Sequence, residues 1–183
     1  MQQARRSHRG FTLTELLVTL AIAGILAMAG VPAMGGLLAR SRTAGAQASI
    51  IATLRHARNA AIMHNARVLV CPSLDARRCA ADDNWQRGWI VARDADRDGR
   101  PDTGIPVLTT QAAMSGDIRV VTSAGRKRIF FYPNGSAAGS NARFTVCQAR
   151  ERDGKAVVVS NSGRVRLEPA DPARLQACLA GLP

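Results

Sequence analysis

Several patterns that would indicate an enzyme or a metal protein are missing from this chain of 183 residues. No grouping of serine, histidine and aspartate, or of cysteine and histidine, suggests a nucleophile, and no glycine-rich phosphate loop follows a predicted strand. The three histidines form no cluster and no Cys-x-x-Cys pair is present, so a zinc site is not expected. Aromatic residues are only 4% of the chain, which leaves Val, Ile, Leu and Ala to fill the core. We therefore expect a binding or structural protein without a cofactor or metal, and not an enzyme.

Charged side chains are also missing from residues 16–39. As a helix these 24 residues would span about 36 Å, enough to cross a bilayer. Three arginines within the first nine residues predict a cytoplasmic amino terminus and place residues 40–183 outside the cytoplasm. Glu15 lies at the edge of the apolar run, where an ionisable group is costly and is a candidate functional residue.

The sequence from Arg9 to Glu15 resembles the class III signal of type IV pilins and pseudopilins: a basic leader, then Gly-Phe-Thr-Leu-x-Glu, then an apolar helix. The resemblance implies that a prepilin peptidase cleaves between Gly10 and Phe11 and methylates the new amino terminus. It also implies that Glu15 pairs with the terminal amine of a neighbouring subunit, which would offset the cost of a carboxylate in lipid. A conventional signal peptide cleaved near Ala29 would leave Glu15 unexplained.

This resemblance divides the chain into three parts. Residues 1–10 would be a cleaved leader, 11–39 a transmembrane and assembly helix, and 40–183 a periplasmic globular domain that ends in a hairpin tail. It further implies single-pass insertion in the bacterial inner membrane, incorporation into a pilus, and contacts with other pilins and minor pilins through the amino-terminal helix.

The apolar helix is expected to continue beyond the membrane. Glycines and Pro32 within residues 30–36 predict a kink or a locally melted turn there. Beyond it, Ile50, Leu54, Ala57 and Ala61 recur at helical spacing and predict an amphipathic segment that packs under a sheet.

After Asn65 the pattern changes to short apolar runs divided by Gly, Pro, Asn and Asp, which indicates an antiparallel sheet. Turn signals at 133–135 and 161–163 are the strongest, and the second predicts a hairpin between the last two runs. The predicted class is α+β: a long helix, membrane-spanning and then amphipathic, packed on antiparallel sheet as in pilins. The predicted strands are 67–71, 88–92, 107–110, 118–121, 129–132, 144–147, 156–159 and 164–167.

Four cysteines in an oxidising compartment predict disulfides rather than metal ligands. Cys71 and Cys79 are close in sequence, and Cys147 and Cys178 flank the predicted final hairpin. We therefore favour the pairs 71–79 and 147–178, although two other connectivities remain open.

Asp94, Asp96 and Asp98, followed by Gly99, are spaced like the opening of a calcium-binding EF-hand loop. An EF-hand would need a bidentate glutamate where this chain has Ile105, and two arginines in the loop add unfavourable charge. A solvated turn between strands is the preferred interpretation, with calcium binding left open.

Positive charge is unevenly distributed. The formal net charge is +12, and loss of the three leader arginines would leave +9. From residue 116 onward eleven basic and five acidic residues give +6, whereas residues 75–102, with six basic and seven acidic residues, give −1. A basic carboxyl-terminal region attracts polyanions such as phosphate backbones. The alternative interpretation is that this charge only keeps the surface soluble.

The predicted final hairpin carries Arg164 and Arg166 at i and i+2, hence on one face, directly after Gly163, which allows a close approach of the backbone to a ligand. This Gly-Arg-x-Arg segment resembles the DNA-binding tail motif found in the GspH/FimT family. Residues 83–89 also resemble the pattern of that family. The resemblance implies that the protein binds double-stranded DNA without sequence preference in natural transformation. The alternative function is that of a structural pseudopilin in type II secretion. Further candidate contacts are Arg143, Lys155, Arg150, Arg152, Arg126, Lys127 and Arg128.

Overall fold

A computed structural model describes residues 11–114, 117–123, 126–148 and 154–181, with the side chains of residues 29–34 left aside. The chain divides into two compact units, the first ending at Leu38 and the second beginning at Ala39. Gly10 of the predicted cleavage site, and the candidate contacts Arg150 and Arg152, lie outside the described residues.

The first helix, α1, is Leu13–Met63. The hydroxyl of Thr12, just before it, accepts a hydrogen bond from the amide of Glu15 at 3.3 Å, as an N-cap side chain does. The helix ends because Asn65 adopts a left-handed conformation, with φ 46°, and the amide of Ala66 then donates to the carbonyl of Ala61 at 3.3 Å.

Residues 30–36 are helical, so the locally melted turn is wrong, and the kink stays a prediction. A proline removes one hydrogen bond from a helix, and the turns on either side keep theirs. In the described part of the chain, no helix is both long enough and apolar enough to cross a membrane.

Two four-stranded antiparallel sheets make up most of the second unit, and the α+β prediction is confirmed. The first sheet has the order β3-β2-β1-β5 and the second β4-β6-β7-β8. All eight predicted strands form, with ends shifted by a few residues. They are β1 (Val68–Pro72), β2 (Trp89–Arg93), β3 (Thr109–Gln111), β4 (Ile118–Thr122), β5 (Ile129–Phe131), β6 (Ala142–Gln148), β7 (Lys155–Val159) and β8 (Val165–Pro169).

The core lies between the second half of α1 and the inner faces of the sheets. The predicted stripe of Ile50, Leu54, Ala57 and Ala61 is buried in it, together with apolar residues from six strands. Trp85, in a short 3-10 helix (Trp85–Arg87), adds bulk between the layers. Because the inner faces are buried, the chemistry of the second unit must lie on the outer faces and in the loops.

Candidate nucleic-acid interface

The predicted hairpin is present at the edge of the second sheet, where β7 and β8 pair along their whole length. The amide of Gly163 closes the turn by donating to the carbonyl of Ser160 at 2.8 Å, and Gly163 has φ 76°. Residues with a side chain avoid this conformation, so the turn depends on its glycine.

Gly163 also makes a close contact inside the protein. A Cβ atom at this position would overlap the carbonyl oxygen of Gly135 in the turn after β5. The same oxygen accepts a hydrogen bond from Nε of Arg58, on α1, at 2.9 Å. The group that approaches Gly163 closely is therefore Gly135 and not a ligand. This contact fixes the hairpin turn against the helix.

Three of the candidate arginines share the outer face of the second sheet. Arg143 pairs with Val158, which pairs in turn with Arg166, so the three residues form one row across β6, β7 and β8. With strands about 4.8 Å apart, the two arginines are about 10 Å apart. Arg164 precedes β8, and its carbonyl accepts from the amide of Ser160 at 3.0 Å, so the pairing continues and Arg164 shares the face of Arg166.

One carboxylate lies among these arginines. Glu168 pairs with Arg166, and its Oε2 is 3.0 Å from Nη2 of Arg143. The hydrogen bond from Arg166, reinforced by the charge of both arginines, holds the pKa of Glu168 below its usual value. Arg164 is exposed and has no ion-pair partner among the described residues. These four side chains, which we call the arginine row, thus carry three positive charges and one negative charge.

Lys155 is not part of the arginine row. It begins β7 on the same side as Val157 and Val159, which are buried in the core, whereas Val158 of the row faces outward. The exposed Lys155 therefore points away from the face that carries Arg166. The structure brings Arg143, Arg164 and Arg166 together and leaves Lys155 out.

A second helix that the sequence analysis missed, α2 (Pro172–Ala180), covers another part of this outer face. It contacts β6 and β4, and its buried Cys178 is bonded to Cys147 of β6. The sequence signal was an N-cap: the side chain of Asp171 accepts from the amide of Arg174 at 3.1 Å, and Pro172 follows at the first helical position.

The structure contains both favoured disulfides. One joins Cys147 to Cys178, as above, and the other joins Cys71 at the end of β1 to Cys79 in the next loop. The Cys147–Cys178 bond joins residues 31 positions apart in the sequence, and the Cys71–Cys79 bond joins residues eight positions apart. Both cross-links lie outside the arginine row.

The acidic loop after β2 differs from an EF-hand loop. Asp94, Asp96 and Asp102 bring their carboxylates together, while Asp98 accepts from the amide of Arg100. Asp96 and Asp102 likewise accept hydrogen bonds from loop amides. These contacts are those of aspartate turns and account for the fold of the loop without an ion.

Asp94 of this loop is part of a buried ion pair. Its Oδ2 is 2.6 Å from Nη2 of Arg67, and its Oδ1 accepts from the amide of Gly99 at 3.2 Å. Desolvation raises the pKa of Asp94 even though both contacts favour the ionised form. The pair fixes the loop against the start of β1.

The first unit has an exposed apolar surface. Phe11 is 84% exposed, and Glu15 has no ion-pair partner among the described residues. Large exposed apolar side chains continue along the helix at Leu13, Leu16, Leu17, Val18, Leu20, Ile22, Ile25, Leu26 and Met28. A surface of this kind needs lipid or another protein to cover it.

An exposed apolar helix followed by a helix-backed pair of antiparallel sheets defines the class: a minor type IV pilin or pseudopilin-like protein. The family described as type II transport protein GspH matches residues 46–163, and the prokaryotic N-terminal methylation motif matches residues 5–31. The chain belongs to the GspH family.

Two solved structures support this fold. The type IV minor pilin FimU of Pseudomonas aeruginosa is 19% identical, with a TM-score of 0.57 over 71% of this chain and 90% of FimU. The minor pseudopilin EpsH of the type 2 secretion system of Vibrio cholerae is 14% identical, with a TM-score of 0.50 over 70% of this chain and 97% of EpsH. No curated protein sequence matches the chain.

Proposed function

We propose that this protein is a FimT-like minor pilin that joins a type IV pilus and binds double-stranded DNA without sequence specificity for uptake in natural transformation. The observation that carries the proposal is the arginine row, in which Arg143, Arg164 and Arg166 share one open face. Guanidinium groups grip phosphate oxygens in bidentate fashion, and the three arginines come from two strands and a turn and not from a helix that could enter a groove, so the expected contacts are to the DNA backbone.

Assembly is proposed to depend on the first unit. Cleavage after Gly10 would leave Phe11 as a methylated amino terminus, next to the exposed apolar side chains of α1. Other pilins, and the inner membrane before assembly, would cover that surface. Glu15 would then pair with the terminal amine of a neighbouring subunit, because it has no ion-pair partner among the described residues.

The alternative is a GspH-like pseudopilin with a purely structural role in type II secretion. The match to the GspH family over residues 46–163 favours it. Glu168 favours it as well, because it forms ion pairs with two of the three arginines of the row. In that case the ion pairs of Glu168 would stabilise the sheet edge and the row would bind no DNA.

Replacing Arg164 and Arg166 with alanine is the test. With full-length protein in a nonionic detergent, we expect duplex affinity to fall at least about tenfold at about 50 mM salt, because two phosphate contacts are lost. The control is R55A/R87A, which removes two exposed arginines that lack ion pairs among the described residues. Equal affinities for the hairpin variant and this control would remove the hairpin as the DNA site.

Glu168→Gln is expected to act in the opposite direction. It releases Arg166 and Arg143 from their carboxylate and removes the one negative charge of the row. A unit charge removed at about 4 Å from a phosphate in water should strengthen binding by about fivefold. Fluorescence anisotropy of a labelled duplex gives the comparison. Unchanged or weaker binding by E168Q would favour the structural role for these ion pairs.

A further inference from the structure

Two neighbouring clefts on the outer side of the first sheet have several basic side chains in their lining. The larger, of about 970 Å³, is bordered by Arg77, Arg78, Arg100 and Arg128. The smaller, of about 440 Å³, is bordered by Arg97, Arg126 and Lys127, and shares Arg128 with the first. We call the pair the Arg128 clefts. They are formed by the loop closed by the Cys71–Cys79 disulfide, the acidic loop after β2, and the segment before β5.

The cations of the Arg128 clefts are not paired with carboxylates among the described residues, although Asp102 lines the larger cleft and Asp98 the smaller one. None of the seven basic side chains just named forms an ion pair within the described part of the chain. The buried Nε atoms of Arg126 and Arg128 also have no hydrogen-bond partner there. Like charges held this close repel one another unless an anion lies between them.

The carboxylates beside these arginines keep their charge but bond to other groups than the cleft arginines. Asp94 is buried and paired with Arg67, which also stacks on Phe130 with its guanidinium 4.5 Å from the ring centre. Asp98 and Asp102 accept hydrogen bonds from amides of their own loop. The loop therefore folds around its own acidic groups and leaves its arginines facing the clefts.

Backbone conformation gives a further indication. Ala76 and Arg97 have φ 57° and 65°, and both lie in loops that line the Arg128 clefts. A left-handed conformation is uncommon for residues other than glycine and concentrates at functional sites. Ala76 and Arg77 both line the larger cleft, and Arg97 lines the smaller one.

We infer that the Arg128 clefts are a second surface for the phosphate backbone of DNA. The inference rests on the proposed function and extends it: the duplex would be held by the arginine row and by this separate set of loop arginines. The seven basic side chains, set against Asp98 and Asp102, leave an excess of five positive charges, and a single phosphate group carries at most about two negative charges. A polymer with a charge every 1.7 Å or so along its axis supplies enough anions for both clefts.

The shape of the site favours DNA over a lipid surface. The arginines line concave clefts, which admit a ridge of phosphates but not a flat bilayer. They also come from three loops of the second unit, whereas basic residues that bind lipid headgroups usually lie next to a membrane helix. Binding to base edges is not expected, because arginines from loops offer no helix to enter a groove.

Arg100→Ala combined with Arg128→Ala tests the inference in full-length protein held in a nonionic detergent. Removing two phosphate contacts should make the log–log slope of duplex affinity against salt shallower by about 1.8. The pair R77A/R78A, on a different loop of the same cleft, should give a similar change. The control R55A/R87A removes the same charge away from the clefts and should change the slope less.

The outcomes separate this inference from the proposed function. If R164A/R166A flattens the slope while both cleft variants match the control, the inference fails and the hairpin remains the DNA site. If wild-type protein binds no duplex, both fail. If the cleft variants match wild type on DNA but lose the thermal shift given by a short-chain phosphatidylglycerol, the clefts bind lipid and the inference is overturned. Shallower slopes for both cleft variants, with unfolding temperatures like wild type, support it.

Discussion

Replacing Glu15 with glutamine is expected to leave the protein processed and membrane-bound but nearly absent from filaments. The variant keeps the shape of the side chain and removes the charge that would pair with the amine of the next subunit. Losing one member of a desolvated ion pair leaves the other uncompensated, so the incorporated fraction should fall at least about tenfold. Immunoblots of sheared filaments against membranes, in cells with the cognate assembly machinery, measure that fraction.

Thr19→Ala is the matched control for this experiment. Its hydroxyl donates to the carbonyl of Leu16, within the same helix, at 2.9 Å. We expect T19A to assemble like wild type. Intact mass of each protein should show a methylated terminus at Phe11, and a terminus near Gly30 would contradict the pilin mode of processing.

Removing the Cys147–Cys178 disulfide is expected to lower the free energy of unfolding by about 3.7 kcal/mol, from the chain entropy of the loop that it closes. The effect should be largest at α2, because Cys178 is the only buried residue of that helix. In the variant C147S/C178S, amides of α2 should exchange with solvent well before those of β6.

The pair C71S/C79S provides the comparison, because its shorter loop predicts a loss of about 2.6 kcal/mol. Denaturant titration gives both values, and hydrogen exchange locates the first opening. If α2 stays as protected as β6 in C147S/C178S, its attachment does not depend on the cross-link.

Much of the fold could be predicted because local pattern and tertiary structure agree. The stripe of Ile50, Leu54, Ala57 and Ala61 has helical spacing and is buried as expected. All eight strands were visible because turn residues bound each one. The locally melted turn within 30–36 is wrong, because those residues are helical, and α2 was missed in a segment interpreted as a tail.

The candidate site was harder to predict, since side-chain direction and pairing depend on the whole sheet. Spacing at i and i+2 placed Arg164 and Arg166 on one face, but only the register between strands brings Arg143 beside them and turns Lys155 away. The role of Gly135 opposite Gly163 has no signal in the local sequence.

Net charge along the sequence was also misleading for the loops. Residues 75–102 sum to −1, yet four of their arginines line the Arg128 clefts with only Asp98 and Asp102 among the described carboxylates beside them, and Asp94 is buried in its pair with Arg67. A charge sum over a segment does not distinguish buried from exposed groups.

The salt dependence of duplex binding by wild type and R164A/R166A tests the central claim most directly, because the slope counts the phosphates that the protein neutralises. We predict that the wild-type log–log plot is steep and that the plot for the variant is shallower by about 1.8, with the same unfolding temperature for both proteins. Parallel plots for the two proteins would contradict the assignment of DNA binding to the arginine row.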